Sequence, residues 1–171
     1  MQHSAFSAAH LFIGLLKTPY WENNNLMNLM QSHFGEILFK SDWYPFKSQF
    51  YTKEMGPTPD KCIIMFKNTL PLSKFWRLKH QSNNLENLYH IKNKRSFNCD
   101  PGWITPYQVC LLSCKTYAHR IALQKGVYAE QCLLFQEKKA VSLPWTYPDY
   151  QSDYIKNCFL HMRKLCLISS C

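Results

Sequence analysis

Several groups of residues between Lys79 and Tyr150 carry side chains suited to holding or transforming a small ligand. Lys79 and Asn83 stand four apart, which puts an ammonium and an amide on one helix face, within joint reach of a phosphate or carboxylate. A solvated helix face would have the same pattern. Asp100-Pro101-Gly102 predicts a tight turn, with Pro fixing φ and Gly taking the strained position. The Asp100 carboxylate then either bonds its own turn or faces a ligand. His119 supplies an imidazole, which either does acid–base work or is a hydrogen-bonded structural residue entering a strand. Arg120 with Glu130 predicts a cross-strand ion pair, and an exposed pair contributes roughly 0.2–1 kcal/mol. On that footing Arg120→Ala is expected to abolish binding of an anionic ligand at about 1 kcal/mol of stability. Finally, Pro144-Trp145-Thr146-Tyr147-Pro148-Asp149-Tyr150 is a stiff loop with flat surfaces. Trp145 or Tyr147 can stack on a planar group and Asp149 can accept hydrogen bonds, or the loop simply packs over the core edge. No Ser-His-Asp order can be defended, no His/Cys spacing makes a convincing metal site, and the Gly-x-x-x-x-Gly-Lys-Ser/Thr string is absent.

These residues need elements to position them. Ala118–Leu123 and Val127–Phe135 read as strands of a hairpin around Gln124-Lys125-Gly126. Lys is a poor residue for positive φ and Gly accepts it freely, so a three-residue loop with Gly126 left-handed is expected. That loop pairs Leu123 with Val127, and so Arg120 with Glu130. Arg120, Tyr128, Glu130 and Cys132 then share one face, while Ile121, Leu123, Val127, Ala129 and Leu133 form the core face. Upstream, His10–Leu16 predicts a buried strand, and Asn23–His33 a helix capped by the asparagine run and closed at Gly35. Ile37–Phe46 and Cys62–Lys67 predict strands, with a loop over 49–60 between them. Pro71–Ile91 reads as a helix broken near Ser82-Asn83-Asn84, and Val109–Cys114 as a strand. Tyr154–Leu167 predicts a last helix with Ile155, Phe159, Met162 and Cys166 on one side. The order is βαββαβ with an added C-terminal hairpin. It predicts an α+β single domain over residues 1–171, with a ferredoxin-like, mainly antiparallel sheet, about three helices and a loosely ordered stretch over 1–8.

Composition bounds the function classes. The chain has 171 residues, 46% hydrophobic and 18% charged, which is globular rather than disordered. Its net charge is +9, concentrated between Lys67 and Arg95, where seven cations face one acid, Glu86. That segment is either a footprint for nucleic acid or a protein partner, or a solvated helix face. The longest apolar run, Leu11–Leu16, is far short of the roughly 20 residues that span a bilayer. Eight dispersed cysteines, with neither Cys-x-x-Cys nor a secretion signal, predict reduced thiols in a cytoplasmic monomer or weak dimer. The first expectation is a cleft for a small anionic or planar ligand. The second is nucleic-acid or partner binding through 67–95. No cofactor is specified.

Several strings carry a family likeness. Glu54-Met55-Gly56, Lys79-x-x-Ser82-Asn83-x-Leu85-Glu86 and Asn98-Cys99-Asp100-Pro101-Gly102-Trp103-Ile104-Thr105 come in that order. His119-Arg120-Ile121, Gly126-Val127-Tyr128-Ala129-Glu130 and the Pro144–Tyr150 string follow. From about Ala9 to Lys164 the chain resembles an uncharacterised bacterial family, the domain of unknown function numbered 4416. The resemblance implies a small single-domain protein with no established reaction. Some relatives carry a generic GTP-binding label, which the missing phosphate-binding glycine loop does not support.

Overall fold

A computed structural model of the chain describes residues 8–19, 21–47, 51, 55, 58–90 and 94–168. The expectation for the N-terminal stretch lies outside these residues, apart from Ala8, which already pairs with Pro71. Most of the loop expected over 49–60, Glu54 included, also lies outside them.

The most apolar run becomes the centre of the sheet. Strand β1 (Ala8–Lys17) is buried continuously from Ala9 onward, because both of its faces are covered. It lies between β4 (Asp60–Pro71) and β5 (Phe97–Ile104), antiparallel to both. With β2 (Ile37–Lys40), β6 (Gln108–Ser113), β7 (Ile121–Ala122) and β8 (Tyr128–Gln136), the order is β2-β4-β1-β5-β6-β8-β7. Two short strands sit off this path, β3 (Tyr44–Pro45) on β4 and β9 (Lys139–Ser142) on β8. The fold is α+β, an open nine-stranded antiparallel sheet with three α-helices among the described residues.

Helices α1 (Asn23–Phe34) and α2 (Phe75–Leu88) cover one face of the sheet. Leu26, Met30, Phe75 and Leu85 meet Leu11, Ile13, Ile64 and Cys99 there. Helix α3 (Asp153–Ile168) covers the other face, where Ile155, Phe159, Met162 and Cys166 meet Phe12, Ile63 and Leu111 as their spacing predicts. No helix among the described residues is long and apolar enough to cross a membrane. Cys62, Cys99, Cys110, Cys114, Cys132, Cys158 and Cys166 are free thiols.

Several expectations are corrected by the structure. The strand expected over 37–46 is two strands, because Ser41 interrupts it: the Ser41 Oγ accepts the Ile63 N–H at 2.9 Å. Helix α1 starts after Glu22 with no side-chain cap, so the asparagine run does not cap it. Helix α2 runs unbroken through Ser82-Asn83-Asn84, since Ser82 Oγ donates to the Lys79 carbonyl within the helix.

The largest correction concerns Asp100-Pro101-Gly102, which is no turn. All three residues lie inside β5, paired with Gly14, Ile13 and Phe12 of β1. Proline is tolerated because of where the missing donor would point. The Cys99 N–H faces away from β1 and goes to Glu86 Oε1 at 2.7 Å. Backbone direction alternates along a strand, so residue 101 would point its N–H the same way, toward β6. There β5 pairs with β6 only from Gly102 to Ile104. The two strands part at the proline, and the sheet forks. Gly102 serves close packing rather than a positive φ, for a Cβ there would lie 2.2 Å from the Cys110 carbonyl oxygen and 2.7 Å from the Phe12 ring.

The hairpin keeps its expected register: Ile121 pairs with Ala129, Ala122 with Tyr128, and the Leu123 N–H donates to the Val127 carbonyl. Gly126 is left-handed at φ 74°, and Lys125 joins it at φ 53°. The loop tolerates that lysine because its ends are pinned, by Val127 N–H to the Gln124 carbonyl and by a bond between His80 and the Lys125 carbonyl. The face assignment fails in part. Strand β7 is only two residues long, and Ile121 is 71% exposed. A register shift opposite Val109 and Cys110 of β6 leaves Cys132 as an extra residue on β8, and both Cys132 and Leu133 enter the core under α3.

Candidate functional site

The fork between β5 and β6 opens into a cleft of about 430 Å³. Helix α2 lies on the sheet face opposite α3, and its Lys79, Asn83 and Glu86 line the cleft at the gap between the strands. Strand β5 supplies Asn98 and Asp100, β4 supplies Lys61, and β8 supplies Glu130. The segment before β7 brings Arg120, and the loop after β9 brings Tyr147, Asp149 and Tyr150.

Every carboxylate in this lining faces a cation. Arg120 Nε donates to Glu130 Oε2 at 2.6 Å, and their side chains are 8% and 2% exposed. Lys61 Nζ meets Asp149 Oδ2 at 2.6 Å. Lys79 Nζ meets Asp100 Oδ1 at 3.3 Å, and Arg95 reaches Glu86 at 3.4 Å. Further bonds tie the array together. Asn98 donates to Asp100 Oδ2 at 2.8 Å, and Tyr44 donates to Asp149 at 3.2 Å. Among the described residues no three of His, Cys, Asp and Glu gather closely enough to hold a metal ion.

Arg120 is committed to its neighbours. Beyond Glu130 it donates to Ser113 Oγ at 2.8 Å, the Lys115 carbonyl at 2.7 Å and the Tyr147 hydroxyl at 3.0 Å. It therefore fixes the aromatic loop against the hairpin. The expectation of an exposed pair that contributes little is overturned, because the stiff loop covers it. His119 also reaches Glu130, with Nε2 3.3 Å from Oε2, although the strand register puts it opposite Gln131. The chain turns before β7, so the two neighbours converge instead of alternating. The His119 ring stacks on Trp145 at 5.1 Å and 11°, and Trp145 Nε1 donates to the Gln131 carbonyl.

Of the ten residues singled out in the sequence, seven line the cleft: Lys79, Asn83, Asp100, Arg120, Glu130, Tyr147 and Asp149. His119 and Trp145 buttress Glu130 and the loop from outside the lining. Tyr128 pairs with Ala122 and Ser113 near the hairpin end and takes no part in the lining. Sequence reasoning missed Lys61, Glu86, Arg95, Asn98, Tyr51 and Tyr150 as lining residues. Glu86 was within reach, for Lys79, Asn83 and Glu86 follow the i, i+4, i+7 rule of one helix face. Lys61 had no such signal: it precedes an apolar strand and reads as a flank.

Glu86 titrates far from the ordinary range. Burial pushes its carboxyl from 4.5 up to about 7, against the lowering pull of the Cys99 N–H, Lys79 and Arg95. The folded chain thus holds a proton that the unfolded chain releases between about pH 4.5 and 7, and stability falls as pH rises through that window. The loss from this group is up to about 3 kcal/mol. Urea unfolding at pH 4.5 and pH 8 should show a smaller drop for Glu86→Gln than for the unsubstituted chain. Equal drops would rule Glu86 out as the source.

The family model described as domain of unknown function (DUF4416) matches residues 7–165. The chain belongs to this family. No curated protein and no solved structure matches it. The matched span contains every wall of the cleft, from β1 to the loop after β9.

Proposed function

We propose that the chain binds a small ligand in the forked cleft, one with an anionic group and a planar or hydroxylated portion. The observation that carries this reading is the convergence of four ion pairs from separate elements on one concavity of about 430 Å³. Buried pairs of this kind contribute little net stability compared with apolar packing of the same volume. A carboxyl perturbed by burial beside charged partners in a concave, aromatic-edged site, as Glu86 is, marks a candidate functional position. Tyr147 and Tyr51 supply flat walls, and Asn83, Asn98 and Ser113 supply neutral polar contacts. Two cations of the basic segment turn inward and support this reading over nucleic-acid binding, while Lys67, Lys74, Arg77 and Lys94 remain exposed. Lys79 and Arg95 line the cleft, and Lys67 pairs with Glu36 at 2.9 Å. Free thiols fit a reducing compartment, and we assign the chain to the cytoplasm.

The test is native mass spectrometry of the chain isolated from its own cells. A retained small molecule, lost on mild activation, is the expected result. A bare polypeptide mass, with no shift in Tm across a library of small anions, would discard the reading.

A further inference from the structure

Helix α2 turns one side to the cleft and another to solvent. Two rows of side chains four residues apart run along the outer side, one of Trp76, His80, Asn84 and Leu88, the other of Arg77 and Gln81. With His33 at the end of α1 they line an open, mostly apolar groove of about 440 Å³, floored by the buried Leu85. From Trp76 to Leu88 the groove follows about 18 Å of helix axis. Its walls are held in place. Gln81 donates to the His33 carbonyl at 2.8 Å, and His80 bonds the Lys125 carbonyl at 3.0 Å. The Arg77 guanidinium lies over the Trp76 ring at 5.2 Å, and the His80 ring meets that ring edge-on at 5.9 Å. Leu88, at the far end, is 76% exposed.

A furrow between rows of a helix, about three turns long and edged by a tryptophan and a leucine, suits the apolar ridge of another helix. The charge beside it decides the character of that helix. Lys74 and Arg77 are exposed and have no carboxylate partner among the described residues. No acid on this side balances them. Helix α1 has none, the only acid of α2 is the buried Glu86 on the cleft side, and Glu36 just after α1 is taken by Lys67 at 2.9 Å. A second copy of the chain would bring these cations face to face across a two-fold axis. Nucleic acid suits the groove less, since two cations neutralise few phosphates and Leu88 gains nothing from a sugar–phosphate chain. Stacking on Trp76 leaves the N–H edges of Arg77 open to a carboxylate. We infer that this groove docks an acidic amphipathic helix of a partner protein, with its apolar residues against Trp76 and Leu88 and a carboxylate on Arg77.

The test selects helical peptides from a displayed random library on the full chain and measures synthetic copies of the enriched ones by fluorescence anisotropy. Enriched sequences should carry Asp or Glu beside Leu, Phe or Trp at i, i+4 spacing. A basic protein attracts any acidic peptide, so the place of binding is the deciding readout. Leu88→Ser should weaken the tightest peptide about tenfold or more. Arg77→Glu should weaken it at least as much, and exchanging the peptide's acid for Lys should restore binding to that variant. Lys164→Glu makes the same charge change on α3 and should alter the affinity by no more than about threefold. All three positions are exposed, so the variants should keep the Tm of the unsubstituted chain. Equal losses in Arg77→Glu and Lys164→Glu would overturn the inference in favour of diffuse attraction. Full affinity in Leu88→Ser, or no enriched peptide at all, would overturn it as well. A dimer in sedimentation that Leu88→Ser dissociates would give the groove to a second copy. Binding of a uridine oligonucleotide that Leu88→Ser abolishes would give it to nucleic acid, and either result overturns the helix assignment.

Discussion

Arg120→Ala is expected to lower the unfolding free energy by about 3–5 kcal/mol, the scale of an uncompensated buried charge. Its partner Glu130 is 2% exposed, so the carboxylate left behind keeps the His119 ring at 3.3 Å but cannot find water without opening the loop over it. The substitution also releases Ser113, the Lys115 carbonyl and the Tyr147 hydroxyl. Removing both charges is gentler than removing one. Arg120→Ala combined with Glu130→Ala should therefore be less destabilised than the two single losses added together. Urea unfolding of the three variants measures this directly. A loss below about 1 kcal/mol for Arg120→Ala would return the pair to the exposed class.

Gly102→Ala should be at least as damaging, at about 3 kcal/mol or more. A single methyl group would sit 2.2 Å from the Cys110 carbonyl oxygen. That atom is backbone, in one of the three residue pairs that join β5 to β6. The only other relief would push the fully buried Phe12 ring into the core under α3. Gly126→Ala gives a contrasting control. Among the described residues none beyond its chain neighbours comes within 4 Å of its would-be Cβ, so only its positive φ is strained, which should cost about 1 kcal/mol. If Gly102→Ala melts no lower than Gly126→Ala, the close approach of the strands is not what the glycine serves.

The two cases show how far the sequence could be read. Helix α3 was legible to within a residue or two, because Ile155, Phe159, Met162 and Cys166 repeat at helical spacing and nothing competes with that pattern. The hairpin register was legible because Gly126 fixes the turn. The faces were not, since that register assumes one buried side, and this sheet is covered on both. Asp100-Pro101-Gly102 has the local chemistry of a turn, and tertiary context overrode it: β1 on one side and the Glu86 carboxylate on the other absorb the backbone groups a turn would have freed. Most of the candidate side chains were named in advance because they fall in short polar and aromatic strings, Pro144–Tyr150 above all, that stand out in the sequence. Their convergence was not, because it depends on a fork in the sheet that no local pattern announces.

The paired charges in that fork set how the molecule answers to ionic strength. Mobile ions screen exposed charges over about 8–10 Å in ordinary buffers, so the surface share of the +9 net charge fades as salt is added. Contacts of 2.6–3.4 Å between side chains mostly withheld from water lie inside that distance and in a poorly screened medium. Concentrated salt should therefore quiet the outside of the protein while leaving the walls of the cleft in register.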